Sequence, residues 1–172
     1  MTHCGDCDFV YDSVATADIA DTLRAFTPSY REVLGTADRA HVARRPAAGV
    51  WSALEYACHI RDVLLVQRDR VVRALVEDRP DIPRMQRDER VAICAYGTEP
   101  VPVVLDQLQM ADDLLWMVLS RLDAAGWARP LRYYWPWPEE QDVAWVGRHT
   151  IHECRHHLID VRTGLERLRS PD

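Results

Sequence analysis

The stretch His149-Thr150-Ile151-His152-Glu153-Cys154-Arg155-His156-His157-Leu158-Ile159-Asp160 lies inside a longer segment, Val143 to Leu168. Along that segment Val146, Cys154, Leu158, Val161, Leu165 and Leu168 recur at helical spacing. On a wheel advancing about 100° per residue they form one apolar stripe, so the segment reads as an amphipathic helix with its stripe in a core. Four of the seven histidines fall within nine residues of this helix. The helix therefore joins a core-forming face to a concentration of metal-ligating side chains.

Working outward, the same periodicity predicts three more helices. One runs from about Ala17 to Leu34 through Ile19, Leu23, Phe26, Tyr30 and Val33, with Pro28 placed to bend or divide it. A second begins at Ser52, whose hydroxyl and Glu55 three residues later make a capping box, and stops before Pro80. A third covers about Val103 to Leu122 and closes near Gly126. Almost nothing reads as strand. The connection from Glu77 to Pro102 is long and charged, with a short helix expected around Met85 to Ile93. The other long connection, Ala128 to Asp142, contains Tyr133-Tyr134-Trp135-Pro136-Trp137-Pro138. These rings either plug one end of the helices or wall a ligand pocket. The expected fold is all-α, a four-helix bundle, with residues 1–15 as an N-terminal segment and residues 16–170 as the bundle.

Composition removes several functions. The 172 residues suit one domain, and 48% apolar with 28% charged residues is the balance of a soluble globular chain. Acidic side chains (27) outnumber basic ones (21), for a net charge of −6. Such a chain has no general attraction to nucleic acid or to an anionic membrane, and neither is an expected partner. All the basic residues are Arg, because Lys is absent. Schiff-base chemistry and a P-loop lysine are thereby excluded. The seven Gly are scattered singly, so there is no phosphate-cradling loop. No apolar run approaches the ~20 residues that span a bilayer. A polar, acidic start without a signal-like layout and five cysteines, an odd number, point to a cytoplasmic protein with reduced thiols.

The histidine-rich stretch formally contains HExxH, His152 to His156, the zinc-protease pattern in which the two His bind metal and Glu is the base. That pattern also requires a third ligand downstream and a sheet beside the helix, and neither is legible. The wheel separates the candidates instead. His152 and His156 project nearly opposite the apolar stripe, toward solvent. Glu153 and His157, also one turn apart, border the stripe and point inward, with His149 and Asp160 on the same flank. A buried carboxylate and imidazole are costly unless paired or metallated. The expected metal ligands are therefore Glu153 and His157, with His152 and His156 as alternates. A third ligand must come from a facing helix, and His59 in Trp51-Ser52-Ala53-Leu54-Glu55-Tyr56-Ala57-Cys58-His59-Ile60-Arg61-Asp62 is the natural candidate.

The early pattern WSxxExxxH…D, followed by W-x(3)-H-x(2)-HE-x(2)-HH-x(2)-D in the last helix, resembles the DinB-like superfamily. That superfamily includes the N-terminal domain of mycothiol-dependent maleylpyruvate isomerase and the bacillithiol-type transferases. The resemblance covers about Ala17 to Leu168. It implies an up-down-down-up bundle holding a divalent metal, zinc or nickel, through His59, Glu153 and His157. Glu stands where many members have His, as it does in the maleylpyruvate isomerase branch. Two His and one Glu leave open coordination positions, the pattern of a catalytic site. The resemblance also implies a homodimer, which the long apolar third helix supports.

At the other end, Cys4-Gly5-Asp6-Cys7 resembles half a zinc knuckle. A complete site needs two more ligands, no second CxxC exists, and the adjacent His3 is sterically poor. A mobile thiol pair is expected, with a weak second metal site as the alternative. Cys58 and Cys94 read as small core hydrophobes.

Two functions fit these residues. One is a metal-dependent transferase, isomerase or hydrolase in which the metal lowers the pKa of a low-molecular-weight thiol, or of water, for attack on an electrophile. Glu55 or Asp62 would then orient a ligand or accept a proton. Arg61, Arg148 and Arg155 are available for substrate carboxylates. The other is a non-catalytic metal-binding stress-response bundle acting through dimerisation.

Overall fold

The structure is a computed structural model and describes residues 2–169. Residues 1 and 170, the outer bounds of the two expected regions, lie outside the described residues. The chain opens with a small hairpin, β1 (His3–Cys4) and β2 (Phe9–Val10), paired antiparallel. Two helices, α1 (Ile19–Arg24) and α2 (Phe26–Thr36), follow where one was expected. The break at Ala25 precedes Pro28, whose ring has no N–H to give to the carbonyl of Arg24. A short α3 (Arg39–Val42) is capped by Asp38. Then comes the long α4 (Ala53–Val76), opened by the expected box: the Ser52 hydroxyl accepts from the Glu55 N–H and the Glu55 carboxylate accepts from the Ser52 N–H.

The crossover holds β3 (Asp81–Ile82) and α5 (Arg87–Ile93), and leads into α6 (Val101–Leu119). A turn of helix, α7 (Ala124–Trp127), precedes β4 (Pro130–Tyr133) and β5 (Glu139–Asp142). The last helix, α8, spans Val143–Arg169, and the Asp142 carboxylate accepts from the Trp145 N–H at its start.

Three pairs of contacts fix the directions of the bundle. Tyr30 reaches Cys154 and Ile19 lies against Gly147, so α1–α2 run parallel to α8. Trp116 bonds Asp21 and Arg31 bonds Asp106, so α6 runs opposite to α1–α2. His59 lies near His157 while Gln67 bonds Tyr133, just before α8, so α4 runs opposite to α8. The topology is up-down-down-up, with α4 packed against both α6 and α8. At the crossing of α1 and α8, a Cβ on Gly147 would lie 2.6 Å from Ile19 Cγ2, so only glycine admits this approach. Tyr30 is fully buried and donates its hydroxyl to the Cys154 carbonyl at 3.1 Å.

Two expectations need correction here. The Ala128–Asp142 connection is a hairpin: β4 pairs antiparallel with β5 and parallel with β3. Segments of two to four residues are too short to display alternation, so no strand signal is legible in them. Cys94 is exposed, because it follows the last turn of α5 outside the bundle, whereas Cys58 is buried as expected.

Candidate metal centre

The interior faces of α4 and α8 bring His59, Glu153 and His157 together, with one donor atom from each within 4.8 Å of the others. His157 Nε2 lies 3.6 Å and His59 Nε2 3.9 Å from the same Glu153 oxygen, Oε2. Both ring nitrogens of His59 are buried without a hydrogen-bond partner. Left that way they carry a desolvation penalty of about 1–3 kcal/mol each. An ion on the Nε2 side fits this orphaned donor, and two nitrogens with one carboxylate oxygen suit zinc or nickel. His157 is oriented from behind: its Nδ1 shares a 2.8 Å hydrogen bond with Asp160 Oδ2, which leaves Nε2 for the site.

Electrostatics agree with the geometry. Burial opposes charge on Glu153, yet His152, His157 and His59 hold its carboxyl well below the usual range. Burial also opposes charge on His157, but Asp160 and Glu153 raise its pKa to about 9. Burial lowers His59, and the Glu153 carboxylate offsets only part of that. His149 is pushed down to about 4 by burial, so it is a neutral ring at pH 7.

A pocket of about 290 Å³ opens on this cluster. Its lining includes His59, Glu153 and His149, then Gln67 and Arg70 from α4, then Tyr133 and Trp135 from the hairpin. His149 is sandwiched between Trp135 (5.2 Å, 30°) and Trp145 (4.9 Å, 17°). The aromatic segment thus contributes pocket wall through Tyr133 and Trp135. Trp137 is 72% exposed and turns away, and Trp145 backs His149 without being part of the lining. Trp51 covers His59 edge-on at 5.1 Å.

Other expected residues sit elsewhere. Glu55 is committed to the cap of α4 and to Arg45, which donates to both its oxygens, so it is not available as a proton acceptor. Asp62 accepts from Arg61 and from the Tyr96 hydroxyl and belongs to the α4–α6 side. Arg61 bonds Glu99 and Gln107, and Arg148 bonds Val14 and Thr16. Arg155 is exposed. The arginines that line the pocket are Arg70, Arg84 and Arg87. Sequence reading missed Arg70 and Gln67, although both follow His59 at spacings that continue one face of α4, with Val63 between them.

The largest correction concerns the outer face of α8. His152 does not reach solvent: it is 4% exposed, packed under Phe9 and Tyr11 of the N-terminal segment. The wheel placed it outside because a single apolar stripe presumes a single covered face. Here the residues before α1 cover a second face. The Tyr11 hydroxyl and His149 Nδ1 are 2.9 Å apart, tying that cover to the pocket. Cys4 ends β1 and Cys7 lies in the turn that follows, both beside His152 and His156, and Cys7 is buried.

The model of the DinB superfamily matches residues 21–161. The chain belongs to the DinB superfamily. Its bundle is similar to that of YfiT from Bacillus subtilis, described as a probable metal-dependent hydrolase with an unusual four-helix bundle topology. That likeness has a TM-score of 0.80 at 15% identity and covers 91% of this chain and 89% of YfiT. It is also similar to the mycothiol-dependent maleylpyruvate isomerase, with a TM-score of 0.71 at 13% identity, covering 89% of this chain. The match spans 63% of the isomerase chain. No curated protein sequence matches. At these identities the two structures establish the DinB-like fold, and the chemistry must be argued from the residues of this chain.

Proposed function

We propose that this DinB-superfamily protein is a metal-dependent enzyme in which His59, Glu153 and His157 hold one divalent ion, zinc or nickel, at the base of the pocket. The observation that carries the reading is the convergence of these three donors beside an open pocket, with both His59 nitrogens unpartnered. The bound ion would supply Lewis acidity, lowering the pKa of a low-molecular-weight thiol or of water.

The residues provide the rest. Asp160 fixes His157 in the orientation that presents Nε2. Glu153 stays ionised throughout the physiological range and balances part of the ion's charge. Tyr133 and Trp135 wall the pocket with aromatic surface that excludes water, which strengthens electrostatics inside. Of the pocket arginines, Arg70 is held by Gln67, Tyr133 and the Pro83 carbonyl and Arg84 by the Tyr134 and Pro136 carbonyls, so Arg87 is the guanidinium with room for an anionic group of the electrophile.

The reaction class is transfer to, or isomerisation of, a small electrophile with a thiol cosubstrate of the mycothiol kind. The aromatic-walled pocket, whose lining carries both guanidinium and carboxylate groups, supports a polar thiol over water alone. Calorimetric titration of mycothiol, bacillithiol and cysteine into zinc-loaded and metal-free protein tests this. Binding of one thiol to the loaded protein only is expected. No thiol binding, with ester or amide hydrolysis by the loaded protein, would replace the reading with a hydrolase.

Pairing of two copies through α6 belongs to the same proposal. Val103, Met110 and Met117 are spaced one heptad apart on that helix and are each 44–52% exposed. Light scattering at micromolar concentration should give twice the chain mass; a single-chain mass excludes the dimer. Among the described residues no helix is long and apolar enough to cross a membrane.

A further inference from the structure

We infer that Cys4, Cys7, His152 and His156 form a second, structural zinc site that staples the N-terminal hairpin to the outer face of α8. It is separate from the pocket site and shares no ligand with it.

The four donor atoms, two sulfurs and two imidazole nitrogens, lie within 4.8 Å of one another. Cys4 Sγ and His156 Nδ1 are 3.8 Å apart. Tetrahedral zinc with bonds of about 2.0–2.3 Å separates its ligand atoms by about 3.3–3.8 Å, so small side-chain shifts suffice to close the set. The local frames are those such a site needs. The two cysteines sit around the tight Cys4-Gly5-Asp6-Cys7 turn that joins β1 to β2. The two histidines are one helical turn apart on α8. This supplies the two ligands that the CxxC lacked in sequence.

A second, independent observation points to a cation here. Both ring nitrogens of His152 are buried without a hydrogen-bond partner. Its closest carboxylate oxygen, Glu153 Oε1, is 3.4 Å from Nδ1. Two thiolates and two neutral imidazoles also balance a divalent charge, which makes its burial tolerable. The thiol of Cys4 suits the role: burial opposes ionisation, but His152 and the backbone of Asp6 and Cys7 outweigh it and bring the pKa to about 6.

The site explains why so small a hairpin holds. Two strands of two residues are marginal on their own, yet this pair positions Phe9 and Tyr11 over α8. Through the hydrogen-bonding contact of Tyr11 with His149, the staple also fixes a ring that lines the pocket. With four protein ligands no coordination position remains for substrate, so the site is structural.

Cobalt titration of metal-free, reduced full-length protein tests the assignment, because thiolate ligands give cobalt(II) a strong near-ultraviolet charge-transfer band and the pocket site has none. The wild-type protein should develop the band to one equivalent and lose the cobalt colour when zinc is added. His157→Ala should keep the band in full, while Cys7→Ser should abolish it and His156→Ala should shift and weaken it. The wild-type titration needs no variant to fold. Absence of the band in wild-type protein, its survival in Cys7→Ser, or a Cys4–Cys7 disulfide that forms in air despite saturating zinc would each overturn the proposal. Failure of the pocket site would read differently, as a full band with no second equivalent bound.

Discussion

Both flanks of α8 carry metal-ligating side chains, and their surroundings differ. Toward α4, Glu153 and His157 meet a single further donor, His59, and the remaining space is a pocket of about 290 Å³. Toward the N-terminal hairpin, His152 and His156 meet two cysteines under a cover of Phe9 and Tyr11. Three donors with open positions and four donors without them are the difference between a reactive and a structural ion. Fewer than two turns of helix thus present both sets of donors, because adjacent residues project about 100° apart.

The contrast can be broken most sharply by deleting one ligand on each flank. His157→Ala should remove one bound equivalent of zinc and leave the other, measured by elemental analysis after dialysis. His156→Ala should spare the pocket equivalent. If either variant lost both ions, the flanks would not be independent.

A smaller effect is expected behind the ligand. Asp160→Asn leaves all ligands in place but weakens the acceptor that orients His157. Zinc affinity at the pocket should fall by roughly 10–100-fold, with a smaller change at the cysteine site, where Asp160 Oδ2 lies 3.7 Å from His156 Nε2. Competition with a chromophoric chelator measures both. Equal weakening of the two sites would show that Asp160 does not act chiefly through His157.

The helix opposite offers a test of stability and pH. Glu55→Gln should destabilise the fold by about 1 kcal/mol at pH 7, the scale of a lost cap, read by urea unfolding. Burial works against the Glu55 charge, but Arg45 and the Ser52 N–H hold its folded pKa below the unfolded value. Its contribution is therefore present above about pH 4.5, near the unfolded value, and disappears as pH falls through the folded pKa. Wild-type and variant should converge in acid. A difference that persists unchanged there would place the effect outside the carboxylate.

The smallest effects separate pocket wall from solvent-facing loop. Trp135→Ala should weaken thiol binding several-fold while metal is retained, because Trp135 lines the pocket and stacks on His149. Trp137→Ala should match wild type, since that ring is 72% exposed. Equal effects from both would make the hairpin tip one unit.

The sequence disclosed what periodicity can disclose. Long amphipathic helices, the Ser52–Glu55 cap and the inward pair Glu153 and His157 follow from spacing along single elements. The partner His59 needed a facing helix, and its burial is set by α8. What stayed hidden depends on contacts between distant segments. His152 looked solvent-facing until Phe9 and Tyr11 covered it, and Cys4 and Cys7 looked incomplete until α8 supplied imidazoles. The strands β3, β4 and β5 are too short to show alternation, so the aromatic segment read as a loop. Glu55 and Asp62 carried plausible chemistry, but Arg45 and the Tyr96–Arg61 pair claim their oxygens.

Anomalous diffraction from zinc-loaded crystals, recorded on both sides of the zinc edge, tests the pocket site most directly. A zinc peak bonded to His59, Glu153 and His157 is expected, with a non-protein atom completing its coordination on the pocket side. Crystals with no peak between those residues, or a peak there closed by a fourth protein ligand, would contradict it.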